Sequence, residues 1–243
     1  MQRSRLDKFI SQKLKVPKKD VRLMLAKKRV RVNGELAVDI DFIVDKFSMV
    51  EVDGASLQAN IASYVMLHKP VGVVSATKDD KHKTVIDLLD INDYPNKHEL
   101  HIVGRLDLNT SGLILLTNDS RWSESLTLPD KKVAKVYRVT LQNPINTDEL
   151  QQQYQSAFAK GMYFSYEDIT TKPATLEFIT AHEVLITLEE GKYHQIKRMF
   201  GRFQNPVIGL HRLSVGNLQL DSNLLVTKSR QLTACEINNI SVK

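Results

Sequence analysis

Hydrophobic residues recur every three or four positions in the first part of the chain. They form two groups, which Pro17 separates. The groups are Leu6, Phe9, Ile10 and Leu14, followed by Val21, Met24 and Leu25. This spacing places the apolar side chains of each group on one face of a helix. The pattern predicts two short helices.

The spacing of the hydrophobic residues changes after the second group. In the stretch VRVNGELAV, Val30 and Val32 alternate with charged residues, and such alternation is typical of a half-buried strand. Asn33 and Gly34 follow, and Asn-Gly is the pair most favoured in a two-residue hairpin turn. Residues 3–55 are therefore predicted to form a small module of helices followed by strands.

Residues 54–62 (GASLQANIA) carry no charge and no strong period, so we interpret them as a linker. A chain of 243 residues is long for one domain and suits a large domain with a small module. We expect an N-terminal domain at residues 1–58 and a second domain at residues 62–243.

The second domain begins with apolar segments separated by polar ones. SYVMLHKPVGVVSA predicts a strand, a turn at Lys69 and Pro70, and a second strand from Val71. TKDDKHKTVIDLL predicts a loop followed by a short helix. HIVGRLDLNTSGLILLTND predicts two strands joined by a polar turn, which places Asp107 where a strand ends.

The remaining segments are mostly strands. KVYRVTL and EVLITLEEG alternate as strands do, whereas YHQIKRMFGRF has helical spacing. Regular strand-helix-strand alternation and internal repeats do not occur. The predicted fold class is α+β, with a small N-terminal α/β module and a second domain that has a mixed, largely antiparallel sheet.

Composition narrows the class of protein. The chain is 42% hydrophobic and 26% charged, and no apolar stretch approaches the length of a membrane span. The N-terminus MQRSRLDKF lacks the apolar core of a secretory signal, and a single cysteine, Cys235, cannot form an intrachain disulfide. We expect a cytoplasmic monomer with no membrane partner.

Positive charge is concentrated at the N-terminus. Residues 1–31 contain twelve Lys or Arg and two Asp, a net charge of +10, whereas the whole chain has +6. Lys and Arg that neutralise phosphates release counterions and gain affinity. The asymmetry favours a nucleic acid partner for the N-terminal module over a solvated basic helix face or a membrane surface.

The chain lacks the common cofactor motifs. Its seven histidines are scattered, and GVVSATKDDK lacks the glycines and the Lys-Ser/Thr ending of a phosphate-binding loop. We expect no metal and no cofactor, so catalysis must use side chains alone. The candidates are Asp107 with Arg105, Tyr137, and the basic cluster Lys192, His194, Lys197 and Arg198.

Four stretches together resemble the pseudouridine synthases. GRLDLNTSG resembles the family's catalytic-aspartate motif, KVYRVTL its tyrosine strand, LEEGKYHQIKRMF its basic motif and YVMLHKPVGVVS its first motif, in the family's order. The N-terminal segment resembles the S4-like RNA-binding module, in which a basic second helix runs into an RVxVNG strand. DITTKPATLE and EGKYHQIKRMF are most similar to the subgroup that modifies the small-subunit (16S) ribosomal RNA.

The resemblance implies three catalytic residues. Asp107 occupies the position of the family's nucleophile, which attacks the sugar or the uracil ring when uridine is converted to pseudouridine. Lys197 occupies the position of its basic partner, commonly arginine, and an opposite charge within ~4 to 6 Å favours an ionised carboxylate. Tyr137 offers a ring on which an extruded uracil can stack and a hydroxyl for proton transfer.

The resemblance also implies contacts with 16S ribosomal RNA or a small-subunit assembly intermediate. Arg105 is long and planar enough to fill the space that an extruded base leaves. Lys69 either contacts RNA or shapes the turn with Pro70. The other expected RNA contacts are Lys18, Lys19, Arg22, Lys27, Lys28, Arg29 and Arg198.

Each candidate residue has a structural alternative. Asp107 is of a type that caps turns, and Tyr137 on an alternating strand suits core packing. Lys197 and Arg198 suit a solvated helix face. His194 is assigned no catalytic role.

Three other functions stay open. A large-subunit ribosomal RNA synthase of the same family shares most of the motifs. A non-enzymatic RNA-binding or ribosome-assembly factor would have the same N-terminal module. A hydrolase of sugar-base bonds usually needs a second carboxylate, and GRLDLNTSG offers one.

Overall fold

The computed structural model describes residues 3–240 and divides the chain into two compact units, Met1–Ala62 and Ser63–Lys243. The elements of the N-terminal unit are β1 (Ser4–Arg5), α1 (Leu6–Leu14), α2 (Lys18–Ala26), β2 (Val30–Val32), β3 (Glu35–Leu36), β4 (Ile43–Val44), β5 (Val50–Val52) and β6 (Ala55–Gln58).

The two predicted N-terminal helices are present. Pro17 lies at the start of α2, where its missing N–H group costs no helical hydrogen bond. Leu6, Ile10 and Val21 are completely buried against the valines of β2 and β5. The apolar spacing in the sequence therefore marks the faces that pack on the sheet.

The predicted Asn-Gly hairpin is also present. It joins β2 to β3, which pair antiparallel through Val32 and Glu35. Asn33 has φ 52° and Gly34 has φ 84°, and two successive positive φ values define the turn that matches the twist of a two-residue hairpin. The four strands of this sheet, within the described residues, have the order β3-β2-β5-β6.

The predicted linker at residues 54–62 is wrong over Ala55–Gln58, which form strand β6 at the edge of the N-terminal sheet. The buried side chain of Gln58 donates hydrogen bonds of 2.7 and 2.8 Å to the carbonyl oxygens of Asp45 and Ser48. These long-range contacts fix the strand, and no periodicity in the local sequence could signal them.

The larger unit alternates many strands with few helices. None of its helices within residues 63–240, and none of those in the other described residues, is long and apolar enough to cross a membrane. Its elements are β7 (Tyr64–Lys69), β8 (His101–Val103), β9 (Ser111–Thr117), α3 (Ser120–Thr127), β10 (Lys135–Leu141), α4 (Asp148–Lys160), β11 (Tyr163–Phe164), β12 (Ile169–Thr170), β13 (Thr175–Phe178), β14 (Glu183–Leu188), α5 (Gln195–Gly201), β15 (Val207–Val215), β16 (Leu218–Gln219), β17 (Ser229–Gln231) and α6 (Ala234–Asn239).

One large sheet organises this unit. Its main strand order within the described residues is β13-β14-β10-β15-β9-β7-β17, with β8 paired to β9 and β16 to β15. Only β15 and β9 run parallel among these neighbours. The α+β class with a mixed, largely antiparallel sheet is therefore confirmed.

The sheet is covered on both faces. In β9, Ile114 and Leu116 contribute to a core cluster on one face, whereas Leu113 and Leu115 contribute to a second cluster on the other face. Burial on both faces explains why the sequence GLILL has continuous apolar residues where an alternating pattern would mark a solvated face.

Two predictions for residues 70–89 are wrong. Residues from Val71 onward form a loop with a single bridge between Val74 and Thr84, because Pro70 cannot donate a ladder hydrogen bond and Gly72 has φ 84°. Residues 85–89 form turns, and the Asp87 carboxylate accepts hydrogen bonds from the backbone N–H and the hydroxyl of Thr84. This local bonding replaces the predicted short helix.

Candidate active site

Asp107 lies in the loop between β8 and β9, at residues 104–110, as the polar turn in the sequence predicts. The N–H of Thr110 donates to the carbonyl oxygen of Asp107 at 3.0 Å, which closes a tight turn. The Ser75 hydroxyl donates a hydrogen bond to the carbonyl oxygen of Leu106 and accepts one from the N–H of the same residue. The loop is thereby fixed, and the Asp107 side chain is 36% exposed.

Lys69 is a structural anchor of this loop. Its side chain is completely buried, and its Nζ atom donates to the carbonyl oxygens of Pro70 (3.1 Å), Asp107 (3.0 Å) and Thr110 (2.7 Å). The prediction that Lys69 contacts RNA is wrong, because a buried ammonium with three carbonyl partners cannot reach a phosphate. Burial lowers the pKa of Lys69 to about 8, and the Asp107 charge opposes this shift.

A row of facing residues crosses the sheet below the loop. Lys69 faces Gly112, Gly112 faces Arg212, and Arg212 faces Tyr137. Facing residues in neighbouring strands direct their side chains to the same face. Gly112 has φ 109°, and a Cβ atom there would lie 2.3 Å from the Arg212 carbonyl oxygen. Only glycine therefore permits this approach.

Arg212 is a member of this row that the sequence reasoning missed. It is 2% exposed, its Nε atom donates to the Leu113 carbonyl oxygen at 2.7 Å, and its Nη2 atom has no hydrogen-bond partner within residues 3–240. A buried cation without a carboxylate partner is costly. The available signal was a charged residue at a core-facing position of the alternating strand VIGLHRLSV.

Tyr137 lies beside Arg212 and is 8% exposed. It belongs to the main apolar cluster, together with its neighbour on the other side, Ile186. The ring is therefore held rigidly by the sheet, with a small part open to solvent.

His194 is the basic side chain that the structure places against the Asp107 carboxylate. The distance from its Nε2 atom to Asp107 Oδ2 is 3.6 Å. His194 begins α5 and has φ 48°, a left-handed conformation that is uncommon outside glycine. The sequence reasoning gave His194 no role, and a helical pattern alone gives no signal that it turns toward the loop.

Lys197 does not lie within 4 Å of an Asp107 oxygen in the described part of the chain. It lies within α5, three residues after His194, which precedes the helix in a left-handed conformation. The predicted ion pair of Lys197 with Asp107 is not formed in this structure.

Arg198 is engaged within the protein. Its Nη2 atom lies 2.6 Å from Glu167 Oε2, and its guanidinium stacks 4.1 Å from the centre of the Phe164 ring. These contacts leave it a poor phosphate ligand. Arg105, in contrast, is exposed in the Asp107 loop, two residues before the carboxylate.

The six basic residues predicted to contact RNA from the N-terminal unit are all exposed. They are Lys18, Lys19, Arg22, Lys27, Lys28 and Arg29. Arg29 forms a two-pronged ion pair with Asp53, with Nε at 2.6 Å from Oδ1. Its charge is therefore partly neutralised in the folded unit.

These features together define a class of site. A partly exposed carboxylate stands on a fixed loop, with a histidine at its oxygen and an exposed arginine two residues before it, and Tyr137 lies opposite Arg212 in the sheet. No group of three or more His, Cys, Asp or Glu that could hold a metal occurs within residues 3–240. The arrangement suits an enzyme that uses a carboxylate as nucleophile or base.

The comparisons with known proteins identify the family. Residues 63–201 match the family described as RNA pseudouridylate synthase. The chain belongs to this family. The match covers the loop of Asp107, the strand of Tyr137 and the start of α5.

Similar proteins match along almost the whole chain. Ribosomal small subunit pseudouridine synthase A of Pseudomonas aeruginosa is 46% identical over 239 residues, which are 97% of this chain and 100% of that protein. The protein of the same name from Escherichia coli is 41% identical, over 97% of this chain and 99% of its own. A crystal structure titled as a pseudouridylate synthase is 35% identical, with a TM-score of 0.68 over 97% of this chain and 99% of that one.

Proposed function

We propose that this enzyme converts one uridine of the small-subunit (16S) ribosomal RNA to pseudouridine, with Asp107 as the nucleophile. The substrate is proposed because relatives 46% and 41% identical over nearly the full chain carry the name ribosomal small subunit pseudouridine synthase A. The observation that supports the nucleophile is the placement of the Asp107 carboxylate, 36% exposed and 3.6 Å from His194, on a loop that Lys69 anchors.

The reaction is an isomerisation within one nucleotide. The bond from uracil N1 to the sugar C1′ breaks, the uracil turns, and its C5 forms a new bond to C1′. C5 loses a hydrogen and N1 gains one, so no oxidant, reductant or co-substrate is consumed. A carboxylate oxygen of Asp107 bonds transiently to the sugar or to the uracil ring and leaves when the new bond forms.

Two basic side chains lie close to Asp107. His194 Nε2 approaches one carboxylate oxygen, and the Lys69 ammonium lies below the same residue. Lys197 occupies the position of the family's basic partner and is proposed to approach the carboxylate when RNA is bound. Positive charge near Asp107 stabilises the nucleophile before attack and when it departs.

Tyr137 and Arg105 act on the extruded nucleotide. A target base in a stack must be extruded before it can react, at a cost of a few kcal/mol. The accessible part of the Tyr137 ring contacts the extruded uracil, and its hydroxyl transfers the proton that leaves C5. Arg105 is exposed two residues before Asp107, so it fills the space that the base leaves.

The N-terminal unit is an S4-like RNA-binding domain in this proposal. Of the six basic residues predicted to contact RNA, five have no ion pair in the described residues: Lys18, Lys19, Arg22, Lys27 and Lys28. They neutralise RNA phosphates and provide affinity with little sequence preference. The enzyme acts as a cytoplasmic monomer on the RNA or on an assembly intermediate.

Pseudouridine mapping tests the proposal. Transcripts of 16S and 23S ribosomal RNA are treated with the wild type or with Asp107→Asn, labelled with a carbodiimide that marks pseudouridine, and read by reverse transcription. We expect one stop, in the 16S transcript, with the wild type alone. A stop in the 23S transcript points to the large-subunit alternative. Strand breaks at abasic sites point to a hydrolase, and equal patterns from both proteins overturn the role of Asp107.

A further inference from the structure

The ring of Tyr193 is connected to the Asp107 carboxylate through one intervening ring, that of His194. It stacks on the His194 imidazole with 3.9 Å between the ring centres and 19° between the ring planes. His194 in turn lies 3.6 Å from Asp107. Tyr193 is nevertheless 73% exposed, so one face of its ring is covered by His194 and the other face is open.

The segment that carries Tyr193 is held rigidly. The Lys192 N–H donates to the buried Gln195 side chain at 3.0 Å, and Gln195 Nε2 donates to Glu190 at 2.7 Å. Arg198 Nη1 reaches the Tyr193 carbonyl oxygen at 3.5 Å. An exposed ring on a fixed segment is a preorganised contact surface, because little entropy is lost when a ligand packs on it.

The charges around Tyr193 are largely balanced. Glu167 pairs with Arg198, and Glu190 lies 3.9 Å from Lys192. Glu167 and Glu190 are thus each paired with a basic side chain. Such a surface suits the flat face of a base better than it suits a phosphate.

We infer that the open face of Tyr193 is a stacking platform for a nucleobase that neighbours the target uridine in the substrate RNA. This inference rests on the proposed function. Extrusion of the target uridine removes a stacking partner from its neighbour, and an aromatic ring close to the nucleophile replaces that partner. Stacking on a protein ring contributes about 1 to 3 kcal/mol per base.

Single-turnover kinetics on a 16S ribosomal RNA transcript test the platform. Tyr193→Ala is expected to raise the RNA concentration for half-maximal rate about 5- to 150-fold, which corresponds to the loss of one stacked base. The rate at saturating RNA is expected to change less than about threefold, because the ring contacts a neighbour and not the reacting atoms. Tyr193→Phe and Tyr193→Trp retain a flat ring and should retain tight binding.

Tyr166 provides a matched control. It is 96% exposed in the same unit and stacks on no residue of the site within the described part of the chain. Tyr166→Ala should leave the half-maximal concentration within about twofold of the wild type. The inference is wrong if Tyr193→Ala also stays within that range or if both variants weaken binding equally. It is also wrong if Tyr193→Ala lowers only the saturating rate, because that result means that Tyr193 merely supports His194.

A photocrosslinking experiment separates this inference from the proposed function. p-Azidophenylalanine is placed at position 193 or, as control, at 166, and crosslinks to the 16S transcript are mapped by reverse transcription. A crosslink within a few nucleotides of the modified uridine from position 193 alone supports the platform. Pseudouridine formation without such a crosslink overturns the platform and leaves the function intact. A specific crosslink without pseudouridine formation overturns the function and leaves a base-binding surface.

Discussion

The ammonium of Lys69 holds the backbone of Asp107: Nζ donates to the Asp107 carbonyl oxygen at 3.0 Å. The same atom donates to Thr110 on the other side of the turn at 2.7 Å. One buried lysine of β7 therefore fixes both sides of the turn that presents the carboxylate. The position of the carboxylate therefore depends on a residue that is itself completely buried.

Replacement of this anchor should slow the reaction. Lys69→Met removes two hydrogen bonds to the loop and a third to Pro70, and it leaves carbonyl groups without this donor. A misplacement of the nucleophile by about 1 Å can cost on the order of 10²-fold in rate, so we expect a fall of that size in the single-turnover rate at saturating RNA. Pseudouridine yield against time gives this rate.

Lys135→Met is the control for the loss of a partly buried lysine. Lys135 also has its pKa lowered by burial, but its Nζ atom bonds the Val133 carbonyl oxygen and not the Asp107 loop. We expect its saturating rate to stay close to that of the wild type. Equal rates for Lys69→Met and Lys135→Met would argue against an anchoring role for Lys69.

The burial of Lys69 predicts a pH dependence of stability. Its pKa is about 8 in the folded protein and 10.5 as the unperturbed value, so between these values the unfolded state binds more protons. The free energy of unfolding should therefore rise with pH from about 8 to about 10.5, by up to ~3 kcal/mol from this group. Below pH 8 both states carry the proton, and the contribution is constant.

Urea titrations at pH 7.5, 9 and 10 give the measurement. The difference in the free energy of unfolding between the wild type and Lys69→Met reports on this lysine alone, because both proteins share the other titrating groups. The wild type should gain stability relative to the variant as the pH rises. A difference that stays constant over this range contradicts the lowered pKa.

Gly112 should tolerate no side chain. Its φ of 109° is unfavourable for any other residue, and an added Cβ atom would also lie 2.3 Å from the Arg212 carbonyl oxygen. We expect Gly112→Ala to lower the free energy of unfolding by about 3 kcal/mol or more. Gly191→Ala, where an added Cβ meets nothing within 4 Å, should cost far less. Similar urea midpoints for the two variants would show that the sheet relaxes around Gly112.

The salt dependence of RNA binding should separate free from paired arginines. Arg22→Gln should reduce the slope of log affinity against log salt by about 0.7 to 0.9, the value for one lost phosphate contact. Arg29→Gln should reduce it by less, because Asp53 already pairs with this guanidinium. Filter binding to the 16S transcript at several salt concentrations measures both slopes. Equal reductions would mean that RNA displaces Asp53.

The sequence predicted the parts of the fold that depend on local patterns. Apolar spacing marked α1, α2 and α5, and Asn33-Gly34 marked the hairpin because two positive φ values suit those residues. The edge strand Ala55–Gln58 was missed, since it is fixed by bonds from Gln58 to residues far away in sequence. The helix predicted near Asp87 does not form, because the Asp87 side chain instead accepts a hydrogen bond from the backbone N–H of Thr84.

Some parts of the candidate site could also be predicted from the sequence, and others could not. Motif order placed Asp107 in a turn after a strand, where the structure has it. The contact of His194 depends on a left-handed backbone at the start of α5, and the burial of Lys69 and Arg212 depends on pairing between distant strands. Periodicity carries no information about such pairings, so the role of Lys69 stayed open between an RNA contact and the turn, and Arg212 was given no role.

The role of Asp107 is tested most directly by its isosteric amide. Asp107→Asn keeps the size of the side chain and removes the charge that a nucleophilic carboxylate needs. We predict that the variant binds the 16S transcript as tightly as the wild type and forms pseudouridine at least about 10⁴-fold more slowly at saturating RNA. A folded variant whose rate lies within tenfold of the wild type would contradict the assignment of Asp107 as the nucleophile.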